Sequence, residues 1–480
     1  MAKDDKANDL GITVKKEENS SEWYSQVITK AKLADYSPIK GCMIIRANGY
    51  SIWEKIQEYF NSRLSDLKVD NYYFPLFIPE SFFSREAEHA KGFSPEVAWI
   101  ETKDNEERLA IRPTSETIIC DSFSKWVRSY RDLPLRTNQW ANIVRWEVKQ
   151  TNPFLRSREF LWQEGHSIYE TLEEAEKETF MMLEEYRKLA EDVLAMPVIY
   201  GKKADSEKFA GADYTTTIEA IMPDGKALQS GTSHLLGQGF MKVFNVKFKG
   251  RDEKEHTPYY ISWGFSTRLI GGVIMTHGDN KGMVLPPKLA KHKIVIVPIL
   301  FKGKEQIVLD KAKELFELLK ENNPILDDRL DISTGFKYNE WELQGIPLRI
   351  EIGPRDVEGG NVVLVRRDTG HKEIIAIEKL AHTIKKTLEN MQNDLYTVAK
   401  KRLDASIVIC KNIDEIKKAI ENKKLVKISW CGERICEEYI YEKSGASSRC
   451  IPLSDETPDD KYCAYCQKDA KVNIYFSRSY

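Results

Sequence analysis

Stretches with helical and with strand-like spacing of apolar residues alternate along the chain and divide it into zones. Residues 49–67 (GYSIWEKIQEYFNSRLSDL) place apolar residues at helical spacing and lead into the strand-like run YYFPLFIP. Residues 172–195 predict a second amphipathic helix, whose apolar stripe from Leu172 to Val193 is typical of core packing. Because Pro286 and Pro287 punctuate the end of this zone, we expect one domain of mixed strands and helices over residues 21–287.

A second zone, residues 288–402, alternates the two patterns more regularly. The apolar strand KIVIVPIL (residues 293–300) precedes a helical pattern, and the strand-like runs IPLRIEI and NVVLVRR precede the helical run EKLAHTIKKTLENM. This alternation predicts an α/β domain with a mixed sheet. The chain then changes to short segments, for which we expect a small α+β domain over residues 403–480. The polar residues 1–20 predict a disordered arm.

Composition restricts the class of protein without identifying it. Apolar residues make up 41% and charged residues 30% of the 480 residues, which indicates several cores and a polar surface. No run approaches the roughly 18 apolar residues needed to cross a bilayer, and no charged-then-apolar leader opens the chain. We therefore expect a cytoplasmic protein with no membrane segment. The net charge of −2 gives no sign of nucleic-acid binding, although basic residues can be confined to one face.

The cysteines crowd towards the end of the chain. Cys431, Cys436, Cys463 and Cys466 have the spacing C-x4-C followed by C-x2-C, which suits two thiolate pairs closing a tetrahedron around zinc. We expect these four residues to bind one structural Zn²⁺, with Cys450 as the substitute if one ligand is misassigned. The alternative is a set of reduced cysteines packed in a small core.

Residues 144–167 (VRWEVKQTNPFLRSREFLWQEGHS) carry the most informative polar pattern. They predict a hairpin with Arg145 and Glu147 on one arm and with Arg156, Phe160 and Glu164 on the other. Residues two apart on a strand face the same side, so Phe160, Trp162 and Glu164 share a face. Guanidinium, aromatic and carboxylate groups together suit a nucleotide site. A hairpin with surface ion pairs explains the same pattern equally well.

The order of the motifs separates these two interpretations. Arg-x-Glu, a loop and Arg-x-x-x-Phe-x-x-x-Glu resemble motif 2 of the class II aminoacyl-tRNA synthetases. The helix that runs into Pro75 resembles motif 1, the dimer element, and residues 262–279 with Arg268 resemble motif 3. The runs RPTSET, FLWQEGHS, KFAGADYTTTIEA, GTSHLLGQ and HGDNKG resemble the prolyl-tRNA synthetases of the archaeal and eukaryotic type. The resemblance covers nearly everything after residue 20.

The resemblance implies a fold and an activity. It implies a catalytic domain built on the antiparallel sheet of class II synthetases, an anticodon-binding domain over residues 288–402 and a zinc-binding domain at the C-terminus. It also implies ATP-dependent attachment of L-proline to tRNA(Pro) through prolyl-adenylate, with release of AMP and pyrophosphate. The expected partners are ATP with Mg²⁺, L-proline, tRNA(Pro) and a second copy of the chain in a homodimer.

The resemblance also assigns roles to individual residues. Arg145 and Arg268 are the expected catalytic residues: Arg145 at the α-phosphate, Arg268 at the adenine and the γ-phosphate. The expected ATP-binding residues are Arg145, Glu147, Arg156, Phe160, Gln229, Thr232 and Arg268. The expected proline-binding residues are Thr114, Glu116, Arg145, Trp162, Glu164, His166, Phe209, His234 and Gly264. A secondary ammonium fits the Glu116 carboxylate and the Thr114 hydroxyl, and a pyrrolidine ring fits a small aromatic box.

Two further regions have expected roles. Glu340, Arg349 and Glu351 suit the guanines of the proline anticodon, since arginine and carboxylate groups recognise complementary edges of that base. A solvated strand edge explains these charges equally well. The resemblance implies that the C-terminal Tyr480 reaches the active site, whereas the alternative is a tail packed only on its own domain. The 100 positions between Glu164 and Gly264 leave no room for an inserted editing domain.

Two other functions stay open at this point. A class II enzyme for threonine or serine is one of them, but a threonine enzyme requires Cys and His zinc ligands, and no cysteine lies near motif 2 or motif 3. A catalytically inactive paralogue is the other. Such proteins usually lose a motif arginine, whereas Arg145 and Arg268 are both present.

Overall fold

Long antiparallel strands form the centre of the first zone. The computed structural model describes residues 11–89, 96–103, 106–453 and 457–480. The strands are β1 Ala34–Tyr36, β2 Met43–Ile45, β3 Asp70–Asn71, β4 Phe77–Pro79, β5 Trp99–Ile100, β6 Leu109–Ile111, β7 Leu135–Val144, β8 Glu159–Tyr169, β9 Ile199–Lys202, β10 Tyr214–Ile221, β11 Lys226–Gly237, β12 Phe248–Lys249, β13 Glu255–His256 and β14 Tyr259–Ser266. Strands β7, β8, β14, β11 and β10 pair in this order, each antiparallel to the next. The predicted antiparallel catalytic sheet is confirmed.

Helices cover this sheet: Ala47–Asp66 and Leu172–Lys188 each bury one apolar stripe, whereas Arg268–His277 is buried on almost every side. They span Ser20–Lys30, Ala47–Asp66, Glu80–His89, Glu116–Trp126, Leu172–Lys188, Gly239–Val243 and Arg268–His277, with a 3-10 turn at Tyr130–Asp132. The predicted helix over 172–195 starts with a capping box between Thr171 and Glu174 and ends in the π-helical turn Leu189–Val193. The predicted stripe from Ala175 onwards is buried, and Leu172 alone is exposed because it lies in the first turn.

The second zone forms a separate mixed sheet with its own helices. Its strands are β15 Ile294–Pro298, β16 Ile325–Leu326, β17 Leu348–Ile352, β18 Asn361–Arg366 and β19 Lys372–Ala376. Strand β15 pairs in parallel with β16 and β17, whereas β17, β18 and β19 pair antiparallel. The helices are Glu305–Leu318, Thr334–Gln344, Pro354–Gly359 and Leu380–Ser406, with 3-10 turns at Lys320–Asn322 and Ile377–Lys379. The helix Leu380–Ser406 runs through the predicted domain boundary at 402, because its apolar stripe continues to Leu403.

The last zone joins the catalytic sheet. It contains strands β20 Ile407–Ile409, β21 Leu425–Trp430, β22 Ser447–Ser448, β23 Ile451–Pro452 and β24 Val472–Ser479, and helices Ile413–Glu421 and Arg434–Ser444. Strand β24 pairs antiparallel with β21 and in parallel with the start of β11. One sheet therefore continues from the C-terminal zone into the catalytic zone.

The predicted disordered arm requires a correction. Residues 1–10 lie outside the described residues, but residues 11–20 contact the catalytic zone. Lys16 Nζ donates to the carbonyl oxygens of Met275 and Gly278 at 2.7 and 2.8 Å, and Thr13 N donates to Gln26 Oε1 at 2.8 Å. These specific bonds hold a segment whose polar composition predicted disorder. None of the helices in the described residues combines the length and the apolar character needed to span a membrane.

Candidate active site

A cavity of about 390 Å³ opens on the face of the catalytic sheet formed by β8, β11 and β14. Every catalytic, proline-binding and ATP-binding residue predicted from the sequence lines this cavity, and so does Tyr480. These residues are Thr114, Glu116, Arg145, Glu147, Arg156, Phe160, Trp162, Glu164, His166, Phe209, Gln229, Thr232, His234, Gly264, Arg268 and Tyr480. Residues up to 366 positions apart in the chain, from Thr114 to Tyr480, thus meet at one site.

Strand register brings the side chains of the cavity to one face. Phe160, Trp162 and Glu164 alternate along β8, and Gly264 of the neighbouring β14 lies opposite Glu164. A Cβ atom at Gly264 would lie 3.0 Å from the Gln163 carbonyl oxygen, so this position favours glycine. The hairpin itself differs from the prediction. Strand β7 ends at Val144 and β8 begins at Glu159, so Arg145, Glu147 and Arg156 lie in the connection between the strands rather than on the strand arms.

One end of the cavity is a closed network around Glu164. Ser115 Oγ donates to Glu164 Oε1 at 2.5 Å, and Gln139 Nε2 donates to the same oxygen at 2.6 Å. The other carboxylate oxygen lies 2.9 Å from His166 Nε2, and His166 Nδ1 lies 2.5 Å from the Tyr260 hydroxyl. Because both carboxylate oxygens are hydrogen-bonded, Glu164 keeps one orientation in a buried site.

Glu116 stands near this network with a different partner. It accepts a hydrogen bond from the Thr114 hydroxyl, two residues earlier in the chain. Both side chains are buried and line the cavity. A carboxylate and a hydroxyl are therefore available to a cationic ligand group at this end.

An aromatic and imidazole wall completes the same end. The rings of Phe209 and His234 lie 4.8 Å apart, and His234 Nδ1 lies 2.9 Å from the Thr215 hydroxyl. Thr215 Oγ1 also accepts a hydrogen bond from Phe209 N at 2.9 Å. Burial, followed by the charge of Lys203, lowers the pKa of His234 to about 3, so the ring is neutral at physiological pH. A neutral wall suits an apolar ring.

The opposite end of the cavity collects guanidinium groups. Arg268 Nε donates to the Leu155 carbonyl at 2.9 Å, and its NH1 donates to the Gln229 carbonyl at 3.3 Å. Burial, followed by the charges of Arg145 and Arg156, lowers the pKa of Arg268 to about 10. Positive charges that destabilise one another in a recessed site are stabilised by a polyanion. This end therefore suits a phosphate chain.

The rings beside these arginines offer stacking surfaces. The Arg145 guanidinium carbon lies 5.7 Å from the Phe160 ring centroid and 6.0 Å from that of Trp162. Burial lowers the pKa of Arg145, and the carboxylate of Glu147 opposes this shift. An aromatic face next to guanidinium groups is a chemical environment for a purine base attached to phosphates.

The chain terminus reaches the cavity from the C-terminal zone. Strand β24 pairs with β11 at Lys226 and Ala227, and the Tyr480 hydroxyl donates to Asp224 Oδ2 at 2.8 Å. Tyr480 also packs against the core of the catalytic zone. The alternative of a tail packed only on its own domain is wrong, because the tail extends a strand into the catalytic sheet.

The four predicted cysteine ligands converge. The Sγ atoms of Cys431, Cys436, Cys463 and Cys466 all lie within 4.8 Å of one another. A tetrahedral zinc ion with Zn–S bonds of about 2.3 Å places its sulfurs about 3.8 Å apart, so this donor set fits zinc. Cys450 is buried elsewhere, beside Leu403 and Leu425, and is not available as a substitute ligand.

The charged residues proposed to read the anticodon already have partners. Arg349 donates to Glu351 Oε1 at 2.9 and 3.0 Å and to Glu342 at 2.9 Å, and Glu340 pairs with Arg329 at 2.8 Å. Strand β17, which carries Arg349, lies between β15 and β18, and Arg349 is 7% exposed. The alternative of a solvated strand edge is therefore wrong. A base contact through Arg349 would have to replace an internal ion pair.

Sequence reasoning did not find the residues behind the cavity wall. Ser115 lies inside the run RPTSET and Thr215 inside the run KFAGADYTTTIEA, but neither has a predicted role, and Gln139 and Tyr260 lie outside the family motifs. These residues hold Glu164, His166 and His234. No pattern in the sequence identifies Gln139, because its place opposite Glu164 depends on the pairing of β7 with β8.

Comparisons with known proteins agree with this geometry. The family model described as tRNA synthetase class II core domain (G, H, P, S and T) matches residues 98–277, and the anticodon binding domain model matches residues 293–387. The model described as prolyl-tRNA synthetase, C-terminal, matches residues 413–480. The three matches cover the three zones in order.

Whole proteins are similar over the full length. The chain is 51% identical over 465 residues to a proline--tRNA ligase of Alkaliphilus oremlandii, which covers 96% of both chains. It is 48% identical over 486 residues to proline--tRNA ligase 2 of Clostridioides difficile, covering both chains completely. The crystal structure of prolyl-tRNA synthetase from Cryptosporidium parvum, complexed with halofuginone and AMPPNP, has a TM-score of 0.93 and 43% identity. The match covers 98% of this chain and all of the other.

Proposed function

The chain belongs to the class II prolyl-tRNA synthetases, and we propose that its central cavity forms prolyl-adenylate from L-proline and ATP. The enzyme attaches proline to tRNA in an ATP-dependent reaction that releases AMP and pyrophosphate. One observation carries the assignment of the cavity. A hydrogen-bonded carboxylate and a neutral aromatic wall occupy one end, and mutually repelling arginines occupy the other. The proline carboxylate would meet the α-phosphate of ATP between them.

We assign the arginine end to ATP. Arg145 would hold the α-phosphate, Arg268 would contact adenine and the γ-phosphate, and Phe160 would stack on the base. Glu147, Arg156, Gln229 and Thr232 would contact the base, the outer phosphates and the ribose. Displacement at phosphorus needs little covalent help, so these residues act by positioning and by neutralising developing charge. Mg²⁺ bound with ATP supplies further neutralisation of the phosphates.

We assign the Glu164 end to proline. Glu116 and Thr114 would receive the secondary ammonium, and Phe209, His166 and Trp162 would enclose the ring. Glu164, His234 and Gly264 complete the wall. Because Glu164 is held by three side chains before any ligand binds, the amino-acid site is preorganised.

Amino-acid-dependent pyrophosphate exchange with all twenty amino acids tests this function. We expect a strong signal with proline alone, because the ring fits the neutral wall and its ammonium the carboxylates. Equal exchange with threonine or serine would contradict the assignment. A threonine enzyme is also disfavoured because none of the described residues lining the cavity is a cysteine. An inactive paralogue would show no exchange with any amino acid.

We propose that the four-cysteine cluster binds one structural Zn²⁺. The support is the convergence of Cys431, Cys436, Cys463 and Cys466 and their fit to tetrahedral sulfur coordination. Zinc would close two thiolate pairs and fix the fold of the C-terminal domain. Metal analysis of gently purified protein should give about one equivalent of zinc per chain. Less than about half an equivalent would contradict the site and favour reduced cysteines in a core.

We propose that the enzyme is a homodimer. Exposed apolar residues lie in the β1–β2 hairpin, at Tyr36 and Ile44, and after the motif 1 helix, at Tyr73 and Phe77. Tyr73 is 75% exposed, and a partner copy that packed against motif 1 would cover it. Sedimentation should give twice the mass of the 55.4 kDa chain. Tyr73→Asp should shift the protein towards monomer, and a monomeric wild type would contradict the proposal.

We propose that the enzyme is of the archaeal and eukaryotic type, although the curated relatives named above are bacterial. Two features support this architecture: the full-length likeness to the Cryptosporidium enzyme and the cysteine-bearing C-terminal domain. The span between Glu164 and Gly264, described throughout, contains elements of the catalytic sheet, its covering helices and the β12–β13 hairpin, with no separate editing domain. Purified enzyme should therefore load alanine slowly and leave alanyl-tRNA intact, because a pocket rejects a smaller apolar group only about 10–200-fold. Rapid deacylation would contradict this.

We also propose that the units 21–287, 288–402 and 403–480 act as catalytic, anticodon-binding and zinc-binding domains, and that the enzyme works in the cytoplasm. The separate sheet of the second unit supports the division, with the junction at 402 lying inside a continuous helix. Four cysteines clustered for a metal support a reducing compartment. Fractionation that found the protein outside the cytoplasm would contradict the last point.

A further inference from the structure

In addition to the pairing of Lys226 with β24, the C-terminal domain holds the turn between β10 and β11, residues 222–226, at three points. Ser477 Oγ donates to the Gly225 carbonyl at 2.9 Å, and the Tyr480 hydroxyl donates to Asp224 Oδ2 at 2.8 Å. The third point is a backbone contact between Gly225 and Lys423, which follows the helix Ile413–Glu421. The turn thus belongs to the catalytic domain but is fixed by groups of another domain.

The contact at Gly225 leaves no space for a side chain. Gly225 has φ +82°, a conformation that favours glycine, and a Cβ atom there would lie 2.5 Å from both Cα and Cβ of Lys423. Two backbone segments therefore touch directly. A contact between backbones transmits a displacement more faithfully than one between long flexible side chains.

Strand β11 continues from this turn into the ATP end of the cavity. Gln229 lies three residues after Lys226, about 10 Å along the strand. Its carbonyl oxygen is one of the two backbone acceptors that hold the Arg268 guanidinium, at 3.3 Å from NH1. The position of the turn thus helps to set the position of Arg268.

The proline end is anchored independently of this turn. Glu164 is held by Ser115, Gln139 and His166, none of which lies on β11. His234 does lie on β11, but it is eight residues beyond Lys226 and is fixed by Thr215 of the neighbouring strand. A small shift of the turn should therefore affect Arg268 and leave the proline site in place.

We infer that the 222–226 turn is a positioning element through which the C-terminal domain sets the ATP-binding arginine Arg268. Asp224 and Gly225 are its positioning residues, and Tyr480 is the group that holds Asp224. The inference rests on the proposed function of the cavity. It differs from a direct contact between Tyr480 and substrate, because Asp224 lies outside the residues that line the cavity. It predicts an effect on ATP that is separate from any effect on proline.

The hydrogen bond between Tyr480 and Asp224 is suited to this role. Burial, and then the Asp224 charge, raise the pKa of Tyr480 far above its usual range, so the hydroxyl keeps the proton that it donates. Lys226 Nζ lies 4.9 Å from the Tyr480 ring centroid and 3.6 Å from Asp224. The ring is therefore held on the turn by two neighbouring groups.

A double-mutant cycle tests the inference in pyrophosphate exchange. Asp224→Ala and Tyr480→Phe should each raise the KM for ATP roughly tenfold, the order that one hydrogen bond to a charged group is worth, and leave the KM for proline within about twofold. The double variant should be no worse than Asp224→Ala alone, because that variant already removes the bond from Tyr480, together with the bond from Lys226 N to Asp224 Oδ1. Asp224→Asn, which keeps an acceptor oxygen, should restore most of the loss.

Controls separate this outcome from others. Tyr462→Phe, in the same domain and half-exposed, should leave both KM values unchanged, and equal thermal stability of all variants excludes simple unfolding. If proline and ATP KM values rise together, or if the two single effects add fully, the inference is wrong. A wild-type enzyme with no proline-dependent exchange would instead overturn the proposed function. If Asp224→Ala does not fold, the comparison of Tyr480→Phe with Asp224→Asn still shows whether the KM for ATP rises while the KM for proline stays unchanged.

Discussion

The two ends of the catalytic cavity are built on opposite principles. At the proline end, polar groups are satisfied by one another: Glu164 is bonded to Ser115, Gln139 and His166. At the ATP end, Arg268 is held by two backbone carbonyls, while Arg145 and Arg156 disfavour its charge. The polar groups of the proline end are therefore satisfied without substrate, whereas the charges of the ATP end would be compensated by the bound nucleotide.

This difference indicates how the enzyme divides recognition from catalysis. A small, weakly functionalised amino acid offers few contacts, so a rigid site must be formed before it binds. A nucleotide triphosphate brings its own charge and can organise the arginines that repel one another in its absence. Selectivity for the amino acid should therefore depend on the hydrogen-bonded end of the cavity, and the rate of adenylate formation should depend on the cationic end.

Removal of an arginine should have the largest effect. We expect Arg145→Ala and Arg268→Ala each to lower adenylate formation at least about a hundredfold, because a preorganised charge partner of a transition state contributes about 3–4 kcal/mol. The measurement is single-turnover adenylate formation, with circular dichroism to verify folding. The exposed Arg251→Ala is the matched control and should keep wild-type activity. A variant of either cavity arginine with near-normal rates would show that the cationic end is not catalytic.

A smaller effect should mark the proline end. Ser115→Ala removes one donor from Glu164, and we expect the KM for proline to rise about tenfold while the KM for ATP stays unchanged, since hydrogen bonds to charged groups contribute about 1.5–3 kcal/mol. Steady-state exchange at varied proline and varied ATP measures both values. Ser122→Ala, on the same helix and bonded only to the Ile118 carbonyl among the described contacts, is the control. An equal rise in both KM values would contradict separate roles for the two ends of the cavity.

An effect on stability rather than on activity is expected at acid pH, from a buried histidine that lies outside both ends of the cavity. Burial lowers the pKa of His277 to about 4, and its Nε2 lies 2.8 Å from the Leu194 carbonyl. Below about pH 6.5 the unfolded chain binds a proton that the folded chain excludes, so the free energy of unfolding falls by about 1.4 kcal/mol per pH unit for this residue. The loss continues down to about pH 4 and is absent above pH 6.5.

Urea unfolding measured across this range tests the contribution of His277. In His277→Gln, the free energy of unfolding should fall with decreasing pH by about 1.4 kcal/mol per pH unit less than in the wild type. Identical slopes for wild type and His277→Gln would contradict the buried, neutral state of this histidine.

The sequence predicted which side chains share a face of one strand better than it predicted contacts between distant segments. Alternation along one strand was enough to place Phe160, Trp162 and Glu164 on one face. Gln139 was missed because its bond to Glu164 depends on the register of two strands, which one strand does not reveal. For Arg349 the sequence left anticodon contact and a solvated strand edge equally open, and it did not show the ion pairs with Glu342 and Glu351 that stabilise Arg349 in a central strand.

One predicted domain limit lies inside a helix, and the predicted disordered arm is partly ordered, for a related reason. The predicted boundary at 402 followed a change in composition. The helix Leu380–Ser406 nevertheless continues past this position, because its buried apolar stripe extends to Leu403. The predicted disordered arm followed polarity alone and missed the bonds from Lys16 to Met275 and Gly278. Polar segments are ordered where specific acceptors exist, and sequence patterns do not show acceptors that lie more than 250 positions away.

A crystal structure with a non-hydrolysable prolyl-adenylate analogue tests the division of the cavity most directly. The account predicts the pyrrolidine ring beside Phe209 and His234, the phosphate mimic at Arg145, and the adenine between Phe160 and Arg268. Glu164 should keep its bonds to Ser115 and Gln139, while the arginines move towards the ligand. An analogue bound in the reverse direction, or a Glu164 network that rearranges while the arginines stay fixed, would contradict the account.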